Sequence, residues 1–130
     1  MKSLTLLALA ALVTATPVLA EAPPVSTATG GHVATLVVVK TPAGVTRAMI
    51  EAGFVKSAPG YRRIPGLLRK YFTVNDQGFG GMYLWSDRKA AEAWFTPEWR
   101  AKAKATYGTE PELTYFDTPL QIDMVPEGKP

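Results

Sequence analysis

The residues of this sequence with the clearest chemical potential are an arginine and a tyrosine two positions apart, Arg69 and Tyr71, in a segment of strand character. A guanidinium stabilises a phenolate or an enolate, and a tyrosine hydroxyl can orient such an anion. We predict that these two side chains are catalytic. Flat aromatic side chains in the following segments could form the walls of a pocket for a flat substrate. The predicted substrate-binding residues are Tyr83, Trp85 and Tyr115.

Each of these predictions competes with a structural alternative. Arg69 could instead pair with an acidic residue across an interface between two copies of the chain, because buried arginines usually have carboxylate partners. The aromatic side chains could equally pack that interface. His32 could act as a base with an ordinary pKa of about 6.5, but a single histidine at the start of a strand is more typical of the surface.

The composition excludes several kinds of site. The sequence has no cysteine and one histidine. Disulfides, thiol catalysis and thiolate metal sites are therefore excluded, and a two-histidine metal site is not available. We expect neither a metal nor another cofactor. The 14 basic and 11 acidic residues give a net charge of +3 without a block of like charge, so nothing predicts nucleic-acid binding.

The start of the chain predicts export. Residues 1–20 combine Lys2, an Ala/Leu-rich run and the small residues Val18 and Ala20, a pattern typical of a signal peptide cleaved after Ala20. The alternative is a membrane anchor, but the run falls short of the roughly 20 apolar residues that span a bilayer. We predict a flexible leader at 21–31, one domain at 32–126, a tail at 127–130, and a periplasmic or secreted location without a membrane partner.

The elements predicted within that domain follow the order strand, helix, strand, strand, helix, strand, with the second helix broken in two. Residues 33–40 form an unbroken apolar run, which indicates a central strand buried on both faces. A helix follows from a Thr46 cap to about Ala58, ended by Pro59 and Gly60. Strands at 67–74 and 81–85 flank a turn and form a hairpin. This order is the α+β, ferredoxin-like split βαβ sandwich.

The remaining elements complete that pattern. Ser86 or Asp87 caps a second helix. A third helix, at 97–107, starts with Thr96 as its cap and Pro97 at its first position, and ends at Gly108. The last extended segment, at 112–124, is interrupted at Pro119.

Alternation along the hairpin divides its side chains between two faces. We assign the aliphatic set to the face that the helices cover, with Lys70 as a misfit that extends to an edge. We assign the aromatic set to the open face, where a second copy would bury it. The aliphatic set is Leu68, Phe72, Val74, Met82 and Leu84; the aromatic set is Arg69, Tyr71, Thr73, Gly81, Tyr83 and Trp85.

Three segments carry a family resemblance: PGLLRKYF at 65–72, GGMYLWSDRKAAEAWF at 80–95 and EPELTYFD at 110–117. They resemble small monooxygenases of the YdhR type, in the dimeric α/β-barrel group that includes antibiotic-biosynthesis monooxygenases. The resemblance implies a homodimer built around a barrel of two sheets. In some relatives it also implies oxidation of phenolic or polycyclic substrates by O₂ without metal or flavin. Haem-degrading proteins and other ligand binders belong to the same group.

These observations lead to one main hypothesis and two rivals. The main hypothesis is a homodimeric, cofactor-independent monooxygenase with a small aromatic or hydrophobic substrate in a cavity of the barrel, between sheet and helices. The first rival is a non-catalytic module, for ligand binding or stress, whose aromatic sheet face only holds the dimer or sequesters an apolar ligand. The second is a monomer that presents this face to another protein.

Overall fold

A computed structural model describes residues 31–122 and Met124. The predicted signal peptide, nearly all of the predicted leader and the tail at 127–130 lie outside the described residues. Four strands and three helices follow one another in these residues. They are β1 (Val33–Lys40), α1 (Arg47–Tyr61), β2 (Leu67–Val74), β3 (Gly78–Trp85), α2 (Arg88–Trp94), α3 (Pro97–Tyr107) and β4 (Glu112–Asp117).

The strands form one antiparallel sheet in the order β2-β3-β1-β4. Aromatic contacts from all three helices reach the same side of this sheet, through Phe54 of α1, Phe95 at the end of α2 and Tyr107 of α3. The predicted α+β, ferredoxin-like fold is confirmed. Among the described residues, no helix is long and apolar enough to cross a bilayer.

The helix starts follow the capping residues read from the sequence. The side chains of Thr46, Asp87 and Thr96 each accept a hydrogen bond from the backbone N–H three residues further on. Asp87, not Ser86, therefore caps α2. Gly108 ends α3 in the left-handed conformation, with φ of 79°, which glycine adopts without steric cost.

The predicted end of α1 is wrong. The helix continues through Pro59 and Gly60 to Tyr61, although proline removes one helical hydrogen bond and glycine is a weak helix former. The last turn brings the Tyr61 ring to 5.5 Å from that of Phe72 and 5.9 Å from that of Trp94, measured between centroids. Tertiary packing of one aromatic residue thus outweighs the local preference of the two preceding residues.

The β2–β3 turn determines which side chains share a face. The Asn75 side chain accepts hydrogen bonds from the backbone N–H groups of Gln77 and Gly78, a typical Asx turn. Val74 consequently pairs with Phe79, and Tyr71 pairs with Met82. Our assignment had placed Tyr71 with Tyr83, one position out of register, and such a slip exchanges the two faces of a strand.

The assignment is therefore corrected for β3: Tyr83 and Trp85 lie on the helix face, and Met82 and Leu84 lie on the open face with Tyr71. Tyr83 pairs with Thr35 of β1, and Trp85 pairs with Val33 of the same strand. Both β1 residues are buried beneath the helices. Trp85 is fully buried, and its indole N–H donates to the Thr35 hydroxyl at 2.9 Å. Phe95 packs edge-on against its ring at 5.6 Å. These residues form the centre of the core.

β1 is the central strand, as predicted, but it is buried on one face only. Its side chains alternate between buried and half-buried positions along the strand. The half-buried set is apolar and continues across the open face of the sheet into exposed apolar side chains. We refer to these half-buried and exposed apolar side chains together as the open-face patch. Its members are Ala34, Leu36, Val38, Leu84, Met82, Tyr71 and Phe116.

Candidate functional site

A partly open cavity of about 920 Å³ lies between the sheet and the helices. This volume is within the range of small-molecule sites in proteins. The walls are mainly aromatic and aliphatic, and among the described residues the only charged side chains that line the cavity are those of Lys70 and Lys102. Aromatic rings enter from both layers: Phe54, Tyr61, Trp94 and Trp99 from the helices, and Phe72 and Tyr83 from the sheet.

Lys70 is the most unusual group in this cavity. Its Nζ lies 3.1 Å from the ring centroid of Tyr61, 4.0 Å from that of Phe72 and 4.6 Å from that of Tyr83. Such contacts attract an ammonium to the negative faces of the rings. The prediction that Lys70 extends to an edge is wrong, because the side chain turns inward against these three rings. Burial lowers the pKa of Lys70 from 10.5 to about 7.

The sheet register explains how Lys70 reaches this position. Lys70 pairs with Tyr83 on the helix face, and the neighbouring position on that face is Gly81 of β3. A Cβ atom on Gly81 would lie 2.9 Å from Cε of Lys70 and 2.9 Å from Cε2 of Tyr83, closer than van der Waals contact permits. The missing side chain therefore leaves the space in which the lysine stem and the tyrosine ring lie together.

Two tyrosines of the cavity, Tyr61 and Tyr83, stay protonated at neutral pH. Burial raises the pKa of Tyr83 and of Tyr61, and the interaction between their two hydroxyls adds to the effect on Tyr83 while partly offsetting it on Tyr61. The indole Nε1–H of Trp94 is buried and has no hydrogen-bond acceptor among the described residues. The cavity thus combines apolar walls with the amines of Lys70 and Lys102 and several neutral donors.

The lowered pKa of Lys70 predicts a pH-dependent stability. Between about pH 7 and 10.5 the unfolded chain carries a proton that folded Lys70 has lost, so the free energy of unfolding should rise with pH across this window. The raised tyrosine pKa values oppose this only above about pH 10. The free energy of unfolding should increase by about 1–2 kcal/mol across this window. This is well below the value that the whole pKa shift would give, because part of the amine stays in contact with solvent.

Urea denaturation at several pH values from 6.5 to 9.5 measures this effect. Lys70→Met should be more stable than the wild type at pH 6.5, and the difference should shrink as the pH rises. Parallel curves for the two proteins would show that Lys70 titrates normally in the folded state.

The structure separates the five predicted site residues. Arg69 and Tyr71 lie together on the open face, where Nη1 of Arg69 donates to the Tyr71 hydroxyl at 3.4 Å. Tyr83 lines the cavity on the opposite face. Trp85 and Tyr115 are also on the helix face, but neither lines the cavity. The predicted catalytic pair and the predicted pocket walls are therefore on opposite sides of the sheet.

Apart from Tyr83, sequence reasoning missed the residues that line the cavity. Trp94 and Trp99 are typical core residues by their helical spacing, and both are partly buried against the core as well as exposed to the cavity. Lys70 stood out as a charged residue in an apolar set, and this was the available signal. A lysine that lies two residues from a residue of the buried face, and therefore on that same face, is a candidate for a buried amine.

His32 and Asp117 lie away from this cavity. Both line a separate depression of about 490 Å³, and Nδ1 of His32 is 3.1 Å from the side-chain oxygen of Gln121. Within the described part of the chain, no three histidine or acidic side chains form a group that could hold a metal ion. The single histidine therefore belongs to a structural contact near the sheet edge.

Comparison with known proteins identifies related folds. No model of a known protein family matches this chain, and no curated protein matches it. A monooxygenase of Streptomyces coelicolor, in complex with nanaomycin D, superposes with a TM-score of 0.51 at 14% identity, over 75% of this chain and 93% of that one. A Caulobacter crescentus protein provisionally described as an antibiotic biosynthesis monooxygenase superposes with a TM-score of 0.50 at 20% identity, over 68% and 91%.

A third solved structure with this fold is a haem-degrading protein of Mycobacterium tuberculosis, with a TM-score of 0.51 at 21% identity, over 72% of this chain and 98% of that one. The structural neighbours thus include antibiotic-biosynthesis-monooxygenase-like proteins, and nothing in the comparison singles out the YdhR type. Because one fold supports several activities, the likeness establishes the fold, and the chemistry must be argued from the cavity.

Proposed function

We propose that this protein is a monooxygenase-like oxidoreductase that binds a small aromatic substrate in the cavity between the sheet and the helices. The observation that carries the proposal is the cavity itself: about 920 Å³, walled by aromatic rings, with the Lys70 amine among them. Flat walls favour a flat ligand by stacking and edge contacts. The fold that this chain shares with monooxygenases supports the same function.

The proposed reaction uses O₂ as the oxidant and the substrate as the reductant. When the ring C–H opposite the hydroxyl of a phenol becomes C=O, the phenol turns into a quinone: the substrate gives up four electrons, one oxygen atom enters the new carbonyl, and the other leaves as water. No additional electron donor is then required. The protein's part is to hold the substrate in a dry site and to stabilise the negative charge of the electron-rich intermediate.

We also propose that two copies of the chain pack through the open-face patch. The patch has an apolar character that a solvent-facing sheet side normally lacks, and a two-fold axis would set it against itself. Tyr71 belongs to this patch and Arg69 lies beside it, so both would contact the partner sheet. This favours the interface role over the catalytic role that we weighed for them, since the cavity is on the other face.

Export remains part of the proposal. Residues 1–20 have the signal-peptide pattern, so the folded domain would act in the periplasm or outside the cell. The sequence of the purified mature N-terminus tests this directly.

Oxygen uptake tests the proposed reaction, with a panel of quinols and polycyclic phenols as substrates. A cavity-filling variant identifies where the reaction occurs. Gly53 of α1 lines the cavity, and a Cβ atom there would meet no other heavy atom within 4 Å. Gly53→Leu should therefore occupy cavity space without a clash and lower kcat/KM about tenfold, the cost of lost binding space worth about 1.4 kcal/mol.

Gly60→Leu is the matched control. Gly60 is in the same helix, and a Cβ atom there would also meet no other heavy atom within 4 Å, but Gly60 does not line the cavity. Both substitutions replace glycine by a better helix former and should stabilise α1 by less than about 1 kcal/mol. We expect Gly60→Leu to react like the wild type. Binding of the panel without any O₂ uptake would refute the enzyme and leave the non-catalytic binding module. Equal rates for the two variants would place the reaction outside this cavity.

A further inference from the structure

This inference depends on the proposed function and specifies its substrate. We propose that the cavity takes an acidic phenol or enol, which gives its proton to the neutral Nζ of Lys70 and remains bound as an anion beside the resulting ammonium. One O–H bond breaks and one N–H bond forms, and no electrons are exchanged. Lys70 would thus be both the base and the counter-ion of the substrate.

The charges around the cavity favour an anion. No acidic side chain of the residues at 31–122 lines it, and Lys70 has no ion pair or hydrogen bond with another described residue. The three rings around Nζ attract a cation but cannot neutralise it. A buried cation without a carboxylate partner is unusual in proteins, since buried charges are normally paired. An anionic ligand would complete this site.

The titratable groups that face Lys70 leave it as the base. Tyr61 on α1, Tyr83 on β3 and Tyr107 on α3 contribute hydroxyls, and burial raises the pKa of the first two. The hydroxyls of Tyr61 and Tyr83 are donors at neutral pH and cannot take a proton from a phenol. The second lysine of the cavity, Lys102, is exposed. Lys70 is the group that burial leaves about half neutral near pH 7, and the neutral form has a lone pair for the proton.

Hydrogen-bond donors are present for the substrate oxygen. The buried Nε1–H of Trp94 lacks an acceptor among the described residues, and Trp94 lines the same cavity. A substrate oxygen that reached this N–H would supply one. An unsatisfied buried donor costs free energy, so ligand binding would remove a penalty that the unliganded site carries.

The test measures ionisation of a bound phenol without any oxidation. Under nitrogen, 2-naphthol is titrated with the full mature protein, and the absorbance of the naphtholate anion reports its ionisation. A second ligand, 2-methoxynaphthalene, has nearly the same shape but no proton to give. We expect the wild type to bind 2-naphthol at least about tenfold more tightly than 2-methoxynaphthalene at pH 7.5, a preference worth about 1.4 kcal/mol, and to show the naphtholate spectrum.

Two variants separate the amine from the shape of the site. Lys70→Met keeps an unbranched apolar side chain and removes the amine, so it should abolish the preference and the naphtholate signal while retaining 2-methoxynaphthalene. Lys104→Met removes a lysine that is exposed on α3 and outside the cavity. It should behave like the wild type.

The wild type provides an independent readout should Lys70→Met fail to fold. Below about pH 7 both Lys70 and free 2-naphthol are protonated, so forming the ion pair releases one proton. As the pH is lowered in this range, the affinity for 2-naphthol should therefore fall about tenfold per pH unit. The affinity for 2-methoxynaphthalene should not follow this slope.

The outcomes distinguish this inference from the proposed function. Binding of both ligands with equal affinity, or a preference that survives in Lys70→Met, would overturn the role of Lys70 and leave the cavity enzyme standing. Failure of the wild type to bind either ligand would overturn the inference and the proposed aromatic site together.

Discussion

Trp85→Ala should destabilise the protein by about 3–5 kcal/mol, the range for removing a large aromatic side chain from a core. Trp85 is 0% exposed, and its ring stacks on Tyr83 with a centroid distance of 5.8 Å. It also makes the hydrogen bond to the Thr35 hydroxyl. The variant would lose the ring contacts, leave a cavity and deprive the buried Thr35 hydroxyl of its hydrogen-bond donor. In a domain this small, such a loss approaches the total stability.

Urea denaturation followed by far-UV circular dichroism measures this effect. Val55→Ala is the control, because Val55 is 77% exposed on α1 and should change stability by less than about 0.5 kcal/mol. Thr35→Val provides a second check. It retains the shape but leaves the Trp85 indole N–H unpaired, and we expect it to cost about 1–3 kcal/mol. A Trp85→Ala variant as stable as Val55→Ala would contradict the core that the structure describes.

Met82→Glu should weaken self-association at least about 100-fold. Met82 is 52% exposed in the described chain and occupies the row Tyr71, Met82, Leu36, Thr114 across the middle of the open face. In the proposed dimer this row lies at the interface. A carboxylate there would be buried without a partner in each copy, and an uncompensated buried charge costs about 3–5 kcal/mol.

Light scattering over a concentration series measures the association. The wild type should be a dimer and Met82→Glu a folded monomer. Val55→Glu introduces the same charge at an exposed position on the helix side of the molecule, and it should remain dimeric. A monomeric wild type would refute the dimer, and a dimeric Met82→Glu would place the interface on another surface.

The dimer and the cavity are independent features of the proposal, since the sheet separates them. The open-face patch lies on one side of the strands, and Lys70 with its three rings lies on the other. Substitutions that dissociate the dimer therefore need not disturb the binding of an aromatic ligand. This separation also shows how one fold can keep its assembly while the cavity changes its chemistry.

Local sequence signals determined the element order and most element boundaries. The capping residues Thr46, Asp87 and Thr96 act through hydrogen bonds to a backbone only three residues away, so their effect is encoded locally. The same is true of Gly108 at the end of α3 and of the turn at Asn75. With these limits known, the order of strands and helices was sufficient to predict the ferredoxin-like sheet.

Only the tertiary structure decided which residues meet. Alternation divides a strand into two faces but does not say which face the helices cover, and one residue of register moved Tyr83 and Trp85 from the predicted open face into the core. The end of α1 at Tyr61 and the position of Lys70 depend on aromatic rings distant in sequence. The cavity, made of residues from both layers, therefore exists only in the folded chain, because packing between elements is not specified within any one of them.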